Sequence, residues 1–292
     1  MGDSSENPNE FKTRGISIVI PVKNEENNLK RCLNALSNFG SILVVDSGST
    51  DETQRIARDA GVEVLNFEWD GQFPKKRNWT LRNYDFKTDW VLFLDSDEFV
   101  SPAFIEEVQA MIQTTEHVGF WLNYENHFMG KKLLGGDPFR KLALFRVGAG
   151  EYEKIEEDGW SHLDMEVHEH PVLEGSIGEI KSPIEHNDFR GLRHYIAKHN
   201  EYSSWEAARY LRLMTEKGAE WEGLTERQKK KYRNLAKWWF APAYFIATYI
   251  FKKGFVDGAA GLNFALLKAF YFYQIRLKIK EALKRINPAG QN

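Results

Sequence analysis

Short apolar runs broken by turn residues dominate the first hundred positions of the chain. Ile16-Ser17-Ile18-Val19-Ile20-Pro21 is a β-branched run stopped by proline. Asn24-Glu25-Glu26-Asn27 separates it from apolar positions at helical spacing, Leu29, Cys32, Leu33 and Leu36. This reads as strand, loop, helix. Ile42-Leu43-Val44-Val45-Asp46 predicts a second buried strand, and Ser47-Gly48-Ser49-Thr50-Asp51-Glu52 supplies turn and capping residues before a helix over Thr53 to Ala60. Val62-Glu63-Val64-Leu65 predicts a third strand, and Trp90-Val91-Leu92-Phe93-Leu94, ending in acids, a fourth. Strands alternating with helices imply right-handed crossovers and a mixed, mostly parallel sheet covered on both faces, an α/β fold.

From Gly119 to about Ile184 the pattern is mixed, with Val118-Gly119-Phe120-Trp121-Leu122 and Leu142-Ala143-Leu144-Phe145-Arg146 as strands. From about Leu192 to Thr215, and again from Thr225 onward, the sequence reads as helix. The expected organisation is a flexible segment over 1–14, one α/β domain over 15–190 and a helical C-terminal extension over 191–292. Hydrophobic residues at 42% suffice for a packed core and argue against disorder outside the ends.

Charge divides the chain. Residues 227–292 carry 14 Lys/Arg against 2 Asp/Glu, a net of +12, which leaves 25 against 40, a net of −15, for residues 1–226. A basic tail therefore follows an acidic body. The single cysteine, Cys32, excludes a disulfide framework or a cysteine-based metal site within one chain, so a reducing, cytoplasmic setting is expected. Met1 to Glu10 is polar and acidic, unlike a secretion signal, and no apolar run approaches the roughly 20 residues that span a bilayer as a helix.

The chemistry concentrates at predicted strand ends, where α/β sheets bind their ligands. Asp95 and Asp97 in Leu94-Asp95-Ser96-Asp97-Glu98 stand two apart, suited to share a hard divalent cation, Mn2+ or Mg2+, that also bridges diphosphate oxygens. Alone, such a pair equally ends a strand and caps a helix. Asp46 can accept hydrogen bonds from a nucleobase or ribose, or belong to a helix-capping loop. Lys75-Lys76-Arg77-Asn78 can meet phosphates, or form a solvated loop. Arg140 and Arg146 are strand arginines available to a diphosphate or an anionic acceptor. His186, in Ile184-Glu185-His186-Asn187-Asp188, is a further candidate metal ligand, with a plain structural histidine as the alternative.

Taken in order and spacing, Ile18-Val19-Ile20-Pro21 with Asn24-Glu25-Glu26, Val44-Val45-Asp46-Ser47-Gly48-Ser49-Thr50-Asp51, Lys76-Arg77-Asn78-Trp79 and Leu94-Asp95-Ser96-Asp97-Glu98 resemble the donor half of family-2 glycosyltransferases. The resemblance implies an inverting enzyme of the GT-A fold, a Rossmann-like nucleotide-diphospho-sugar transferase, with its donor half over about 15–100 and its acceptor half over about 101–190. It implies that Asp46 contacts the base, that Asp95 and Asp97 meet ribose, metal and diphosphate, and that the Pro21 loop borders the nucleoside. The donor-binding set expected on this footing is Pro21, Val22, Asn24, Glu25, Asp46, Ser47, Lys76, Arg77, Asn78, Asp95, Ser96 and Arg146. Val167-His168-Glu169, Leu144-Phe145-Arg146 and Phe251-Lys252-Lys253-Gly254-Phe255-Val256-Asp257-Gly258 further resemble the bacterial subgroup that includes lipopolysaccharide-core β-glucosyltransferases. An inverting transfer needs a base beside the acceptor hydroxyl. Glu169 is the preferred candidate, with His168 second and the acid run Glu156-Glu157-Asp158 a weaker choice.

The tail carries seven aromatics in the 14 residues Trp238 to Phe251, flanked by Lys229-Lys230-Lys231 and Lys252-Lys253. Aromatic anchors beside cations suit the interface of an anionic membrane, and a helical hairpin packed on the body or forming a homo-oligomer is the alternative. Continuous apolar helix faces speak against a nucleic-acid groove. The function expected is therefore transfer of a sugar, from a UDP-sugar or another nucleotide sugar, to a lipid-linked, lipopolysaccharide or other glycan acceptor at the cytoplasmic face of the cell membrane. A sugar-phosphate nucleotidyltransferase and a membrane-bound scaffold without turnover are the rivals.

Overall fold

A computed structural model describes residues 15–37, 41–155, 161, 163–164, 170–216 and 218–286. In chain order the strands are β1 (Ile16–Val22), β2 (Ser41–Asp46), β3 (Glu63–Asn66), β4 (Trp90–Phe93), β5 (Glu98–Phe99), β6 (Gly119–Phe128), β7 (Lys131–Lys132), β8 (Phe139–Arg146), β9 (Gly150–Tyr152), β10 (Pro171–Leu173) and β11 (Ile177–His186). The α-helices are α1 (Leu29–Ala35), α2 (Thr53–Asp59), α3 (Lys76–Asn83), α4 (Pro102–Thr114), α5 (Gly191–Glu216), α6 (Ala219–Gly223), α7 (Glu226–Leu235), α8 (Phe240–Ile246) and α9 (Gly258–Ile286). The chain divides into two compact units, one of residues 1–127 and 139–189, the other of residues 128–138 and 190–292.

The first unit is built on a sheet in the order β3-β2-β1-β4-β8-β6-β11-β5. β3, β2, β1 and β4 run parallel, β8 is antiparallel to both of its neighbours, and β11 is parallel to β6 and antiparallel to β5. This is the mixed, mostly parallel arrangement expected of the GT-A fold. All seven residues of β1 are buried, which is why its sequence is nearly continuous in apolar residues instead of alternating. The period of two still sorts them by face. Ile16, Ile18, Ile20 and Val22 join Val44, Leu92 and the α1 residues Leu29, Cys32 and Leu33 in one core layer. Val19 joins Leu43, Val45, Val91 and Phe93 in the other. On the first layer α4 buries Phe104, Ile105 and Val108, and Ser101 caps it by accepting from Phe104 N at 3.2 Å, with Pro102 at its first turn.

Two predicted elements extend further than expected. The strand foreseen over 118–122 runs on to Phe128, and the one over 142–146 begins at Phe139. Lys76-Arg77-Asn78 begins a helix that buries all three side chains, so the solvated-loop alternative is set aside.

In the second unit the long helices α5 and α9 pack together, and Leu213, Tyr232, Tyr271, Ile275 and Ile279 form a core of their own. Thr225 and Gln228 make a reciprocal capping box at the start of α7. The Lys253-Gly254 turn and α9 approach so closely that a Cβ on Gly261 would lie 2.0 Å from the Gly254 carbonyl oxygen. Gly261→Ala is therefore expected to cost about 1–3 kcal/mol of stability. A lowered midpoint in denaturant at unchanged slope checks it. No helix among the described residues is long and apolar enough to cross a membrane.

Candidate active site

Two loops at the carboxyl ends of adjacent parallel strands are laced together. After β1, Asn24 adopts a left-handed conformation, φ 57°, one that asparagine tolerates better than most residues. Its amide oxygen accepts from Thr50 N at 2.8 Å, and its backbone N donates to Ser49 Oγ at 2.8 Å. Glu25 N donates to Thr53 Oγ1 at 2.7 Å and Glu26 N to Asp51 Oδ2 at 3.2 Å. After β2, the buried Asp46 carboxylate accepts from Gly48 N at 3.1 Å, Ser49 N at 3.0 Å, Gln54 Nε2 at 2.6 Å and the Ser49 hydroxyl. Asp46 thus organises its own loop, and Ser47 N ties the loop to Val22 O at 3.2 Å.

Helix α3 carries three of the expected donor residues beneath these loops. Lys76 Nζ donates to Val22 O at 3.0 Å and faces Asp164 Oδ2 at 3.5 Å. Burial pushes the Lys76 ammonium below its usual pKa, an effect Asp164 offsets only in part. Asn78 clamps the backbone of Tyr152, donating to its O at 3.0 Å and accepting from its N at 2.8 Å. Arg77 lies over the Tyr152 ring, 5.3 Å from its centroid, and donates to Asp95 Oδ1 at 2.8 Å.

Asp95, Asp97 and Glu98 form the acidic centre, with one oxygen from each lying within 4.8 Å of the others. Glu98 is wholly buried, accepts from Asp95 N at 3.0 Å and from Tyr124 OH at 3.3 Å, and shares the Lys141 ammonium with Asp95. Lys141 Nζ stands 2.5 Å from Asp95 Oδ2. Burial would raise the Asp95 pKa, but Lys141 and Arg77 outweigh it and hold the carboxyl well below the usual carboxylate range. For Glu98 burial prevails over Lys141 and the pKa is raised. For Lys141 burial is outweighed by Asp95 and Glu98, and its pKa rises.

His186 reaches this centre through strand register. β11 pairs with β5 so that His186 stands opposite Glu98, and with β6 so that it stands opposite Asn126. Asn126 Oδ1 lies 3.0 Å from His186 Nδ1, and His186 Nε2 lies 3.5 Å from Asp97 Oδ2. The first contact holds Nδ1 against the Asn126 amide and turns Nε2 toward the acid, the orientation a metal-binding imidazole needs. Asp188 anchors the same strand end by accepting from Asn28 Nδ2 at 3.1 Å. This oxygen and imidazole set suits Mn2+ or Mg2+. Because Arg77 and Lys141 already answer Asp95, the residues that fit the cation best are Asp97 and His186.

The structure thus brings Val22, Lys76, Arg77, Asp95, Ser96, Asp97 and His186 to one edge of the sheet, beside the Asn24, Glu25, Asp46 and Ser47 loops. Arg146 is not brought there. It pairs with Trp90 at the opposite end of β4, stacks 4.6 Å above that ring and donates to Thr115 O and His117 O, so it closes the turn between α4 and β6. Arg140 is exposed and lies over Trp121. Glu169, His168 and the acid run over 156–158 lie outside the described residues. Sequence reasoning missed Glu98 as a participant, along with Lys141, Tyr124 and Asn126. A charged Lys141 beside the apolar run Leu142 to Phe145 was the one available signal.

Residues 17–159 match the family described as glycosyl transferase family 2. The chain carries a family 2 glycosyltransferase domain. An uncharacterized glycosyltransferase of Rickettsia bellii is 26% identical over 295 residues, spanning 97% of this chain and 92% of its own length. The lipopolysaccharide core biosynthesis glycosyltransferase LpsC of Rhizobium meliloti is 25% identical over 275 residues, spanning 89% of this chain and 92% of LpsC. A crystal structure of glucosyl-3-phosphoglycerate synthase from Mycobacterium tuberculosis, in complex with Mn2+, UDP and glucosyl-3-phosphoglycerate, is 26% identical with a TM-score of 0.33, and the alignment covers 39% of this chain and 45% of that one. The family match takes in the whole acidic centre of the glycosyltransferase domain, from the β1 loop through Lys141, but not His186.

Proposed function

We propose that this glycosyltransferase moves a sugar, with inversion, from a nucleotide-sugar donor such as a UDP-sugar onto a lipid-linked or lipopolysaccharide-core acceptor at the cytoplasmic membrane face. The observation that carries the reading is the convergence of Asp95, Asp97, Glu98, Lys141 and His186 at the sheet edge beside the two laced loops. The name of LpsC supports the acceptor class.

On this reading the acceptor oxygen attacks the anomeric carbon while the bond from that carbon to the diphosphate breaks. The acceptor proton passes to a carboxylate base, for which Glu169 is the choice, and the nucleoside diphosphate leaves with the bonding pair. Asp97 and His186 hold the divalent cation, which when bound neutralises charge on the departing diphosphate. Arg77 and Lys141 keep Asp95 ionised and fixed in place, and the Asn24 and Asp46 loops border the nucleoside.

The test is a panel of nucleotide sugars, each with Mn2+ or Mg2+, scored by thermal stabilisation and by donor hydrolysis. One donor class is expected to stabilise the chain in the presence of metal; if none does, the reading fails. Glu169→Gln should then lower transfer by about 10²-fold while leaving donor stabilisation intact. Full activity in that variant moves the base elsewhere.

A further inference from the structure

The second unit contains a helix that is apolar on two opposite sides. α9 buries Tyr271, Ile275 and Ile279 in the core it shares with α5. Its other side carries Leu266, Phe270, Tyr273 and Leu277, spaced by four, three and four residues in one stripe and 43 to 50% exposed. A helix lying on a water-facing surface puts charged residues there instead. The same stripe continues past Leu277 into Lys280 and Lys284, both exposed. At its other end the turn into α9 exposes Phe255 and Val256, and the Tyr249 ring lies 6.4 Å from that of Phe255. Tyr249 belongs to a π-helical turn, Ala247–Phe251, that exposes Ile250 and Phe251 and leads directly into the exposed Lys252 and Lys253.

The charge on this stretch has one sign. Residues 236–286 hold nine Lys/Arg and two Asp/Glu. Of the two acids, Asp257 is buried and accepts from Leu134 N and Gly135 N, and Glu281 is paired with Arg285 at 2.7 Å. An apolar stripe framed by cations has two candidate covers, a second copy of the chain or an anionic lipid surface. A second copy meeting this stripe with its own brings a second set of cations, of which Lys252 already pairs with Asp137, whereas anionic headgroups answer Lys253, Lys280 and Lys284 directly. The helix is long enough but not apolar enough to cross a bilayer, and it lacks the polar outer face of a water-exposed helix.

We propose that the outer stripe of α9, with the Ile250 to Val256 turn, docks in the plane of an anionic lipid bilayer, its aromatic and aliphatic side chains among the acyl chains and its lysines at the headgroups. This names the surface behind the membrane-borne acceptor proposed above and rests on that reading only for the purpose of docking. The intact chain is mixed with phosphatidylcholine vesicles and with phosphatidylcholine–phosphatidylglycerol vesicles, sedimented, and analysed separately by sedimentation velocity. Wild type is expected to pellet with the phosphatidylglycerol vesicles and to be released by salt. Lys280→Gln and Lys284→Gln should each weaken partitioning about fivefold. Phe270→Gln combined with Leu277→Gln should weaken it by about tenfold or more, with an unchanged unfolding midpoint because both side chains face outward. Wild type that stays in the supernatant, or that binds phosphatidylcholine equally well, overturns the proposal. So does a dimer that these same substitutions dissociate. Donor-dependent stabilisation, measured in the same variants without vesicles, reports on the transfer reading independently, so the two fail separately.

Discussion

Asp97→Asn is expected to lower sugar transfer by about 10³-fold, the loss that follows when several kcal/mol of charge stabilisation on a departing diphosphate disappears. The substitution keeps the shape of a buried side chain and removes only its charge. Without metal the change in stability should be small, because the repulsion that Asp97 exerts on Asp95 and Glu98 and its contact with His186 Nε2 at 3.5 Å work in opposite directions. With Mn2+ or Mg2+ the two proteins should part company: wild type gains thermal stability as metal and nucleoside diphosphate are added, and the variant does not. This contrast isolates the ligand role from any folding role. If Asp97→Asn retains the metal-dependent gain, the cation must be held at Asp95 instead, in competition with Arg77 and Lys141, and the assignment made from Asp97 and His186 is wrong.

The same residues show which parts of the site can be read from a linear sequence. Asp95 and Asp97 follow a four-residue apolar strand directly, so their place at a sheet edge is a local fact. Asp46 and the Asn24 loop are legible for the same reason, since each follows its own buried strand. What those side chains do is less local. Asp46 reads as a ligand for a base, yet its carboxylate is engaged by Gly48, Ser49 and Gln54. The hardest part to foresee is strand direction. Arg146 and Lys141 lie on one strand, β8, and a resemblance at Leu144-Phe145-Arg146 favours the arginine. Because β8 runs antiparallel to β4, with Leu92 opposite Leu144, the later residue falls at the wrong end of β4 and the earlier one falls beside the acids. His186 shows the converse. Its residue type suggests a ligand, but only pairing of β11 with β5 brings it opposite Glu98, across 87 intervening positions that carry no local signal of the contact.

Lys141→Met should accordingly be the most destabilising substitution at the site. The ammonium bridges Asp95 and Glu98, and Glu98 is wholly buried, so methionine leaves a buried carboxylate without its compensating charge. Removing one member of such a buried pair costs about 3–5 kcal/mol. Arg77 still answers Asp95 at 2.8 Å, so the loss should fall mainly on Glu98. That partition can be tested by a cycle in urea denaturation. Glu98→Gln in the Lys141→Met background should recover most of the lost stability, because glutamine keeps the hydrogen bonds offered by Asp95 N and Tyr124 OH without the charge. Additive effects of the two substitutions would show that Lys141 acts through Asp95 alone. Recovery of stability without recovery of transfer would identify the ammonium as the group that positions the acidic centre for the donor. Transfer restored along with stability would reduce Lys141 to a structural counter-charge.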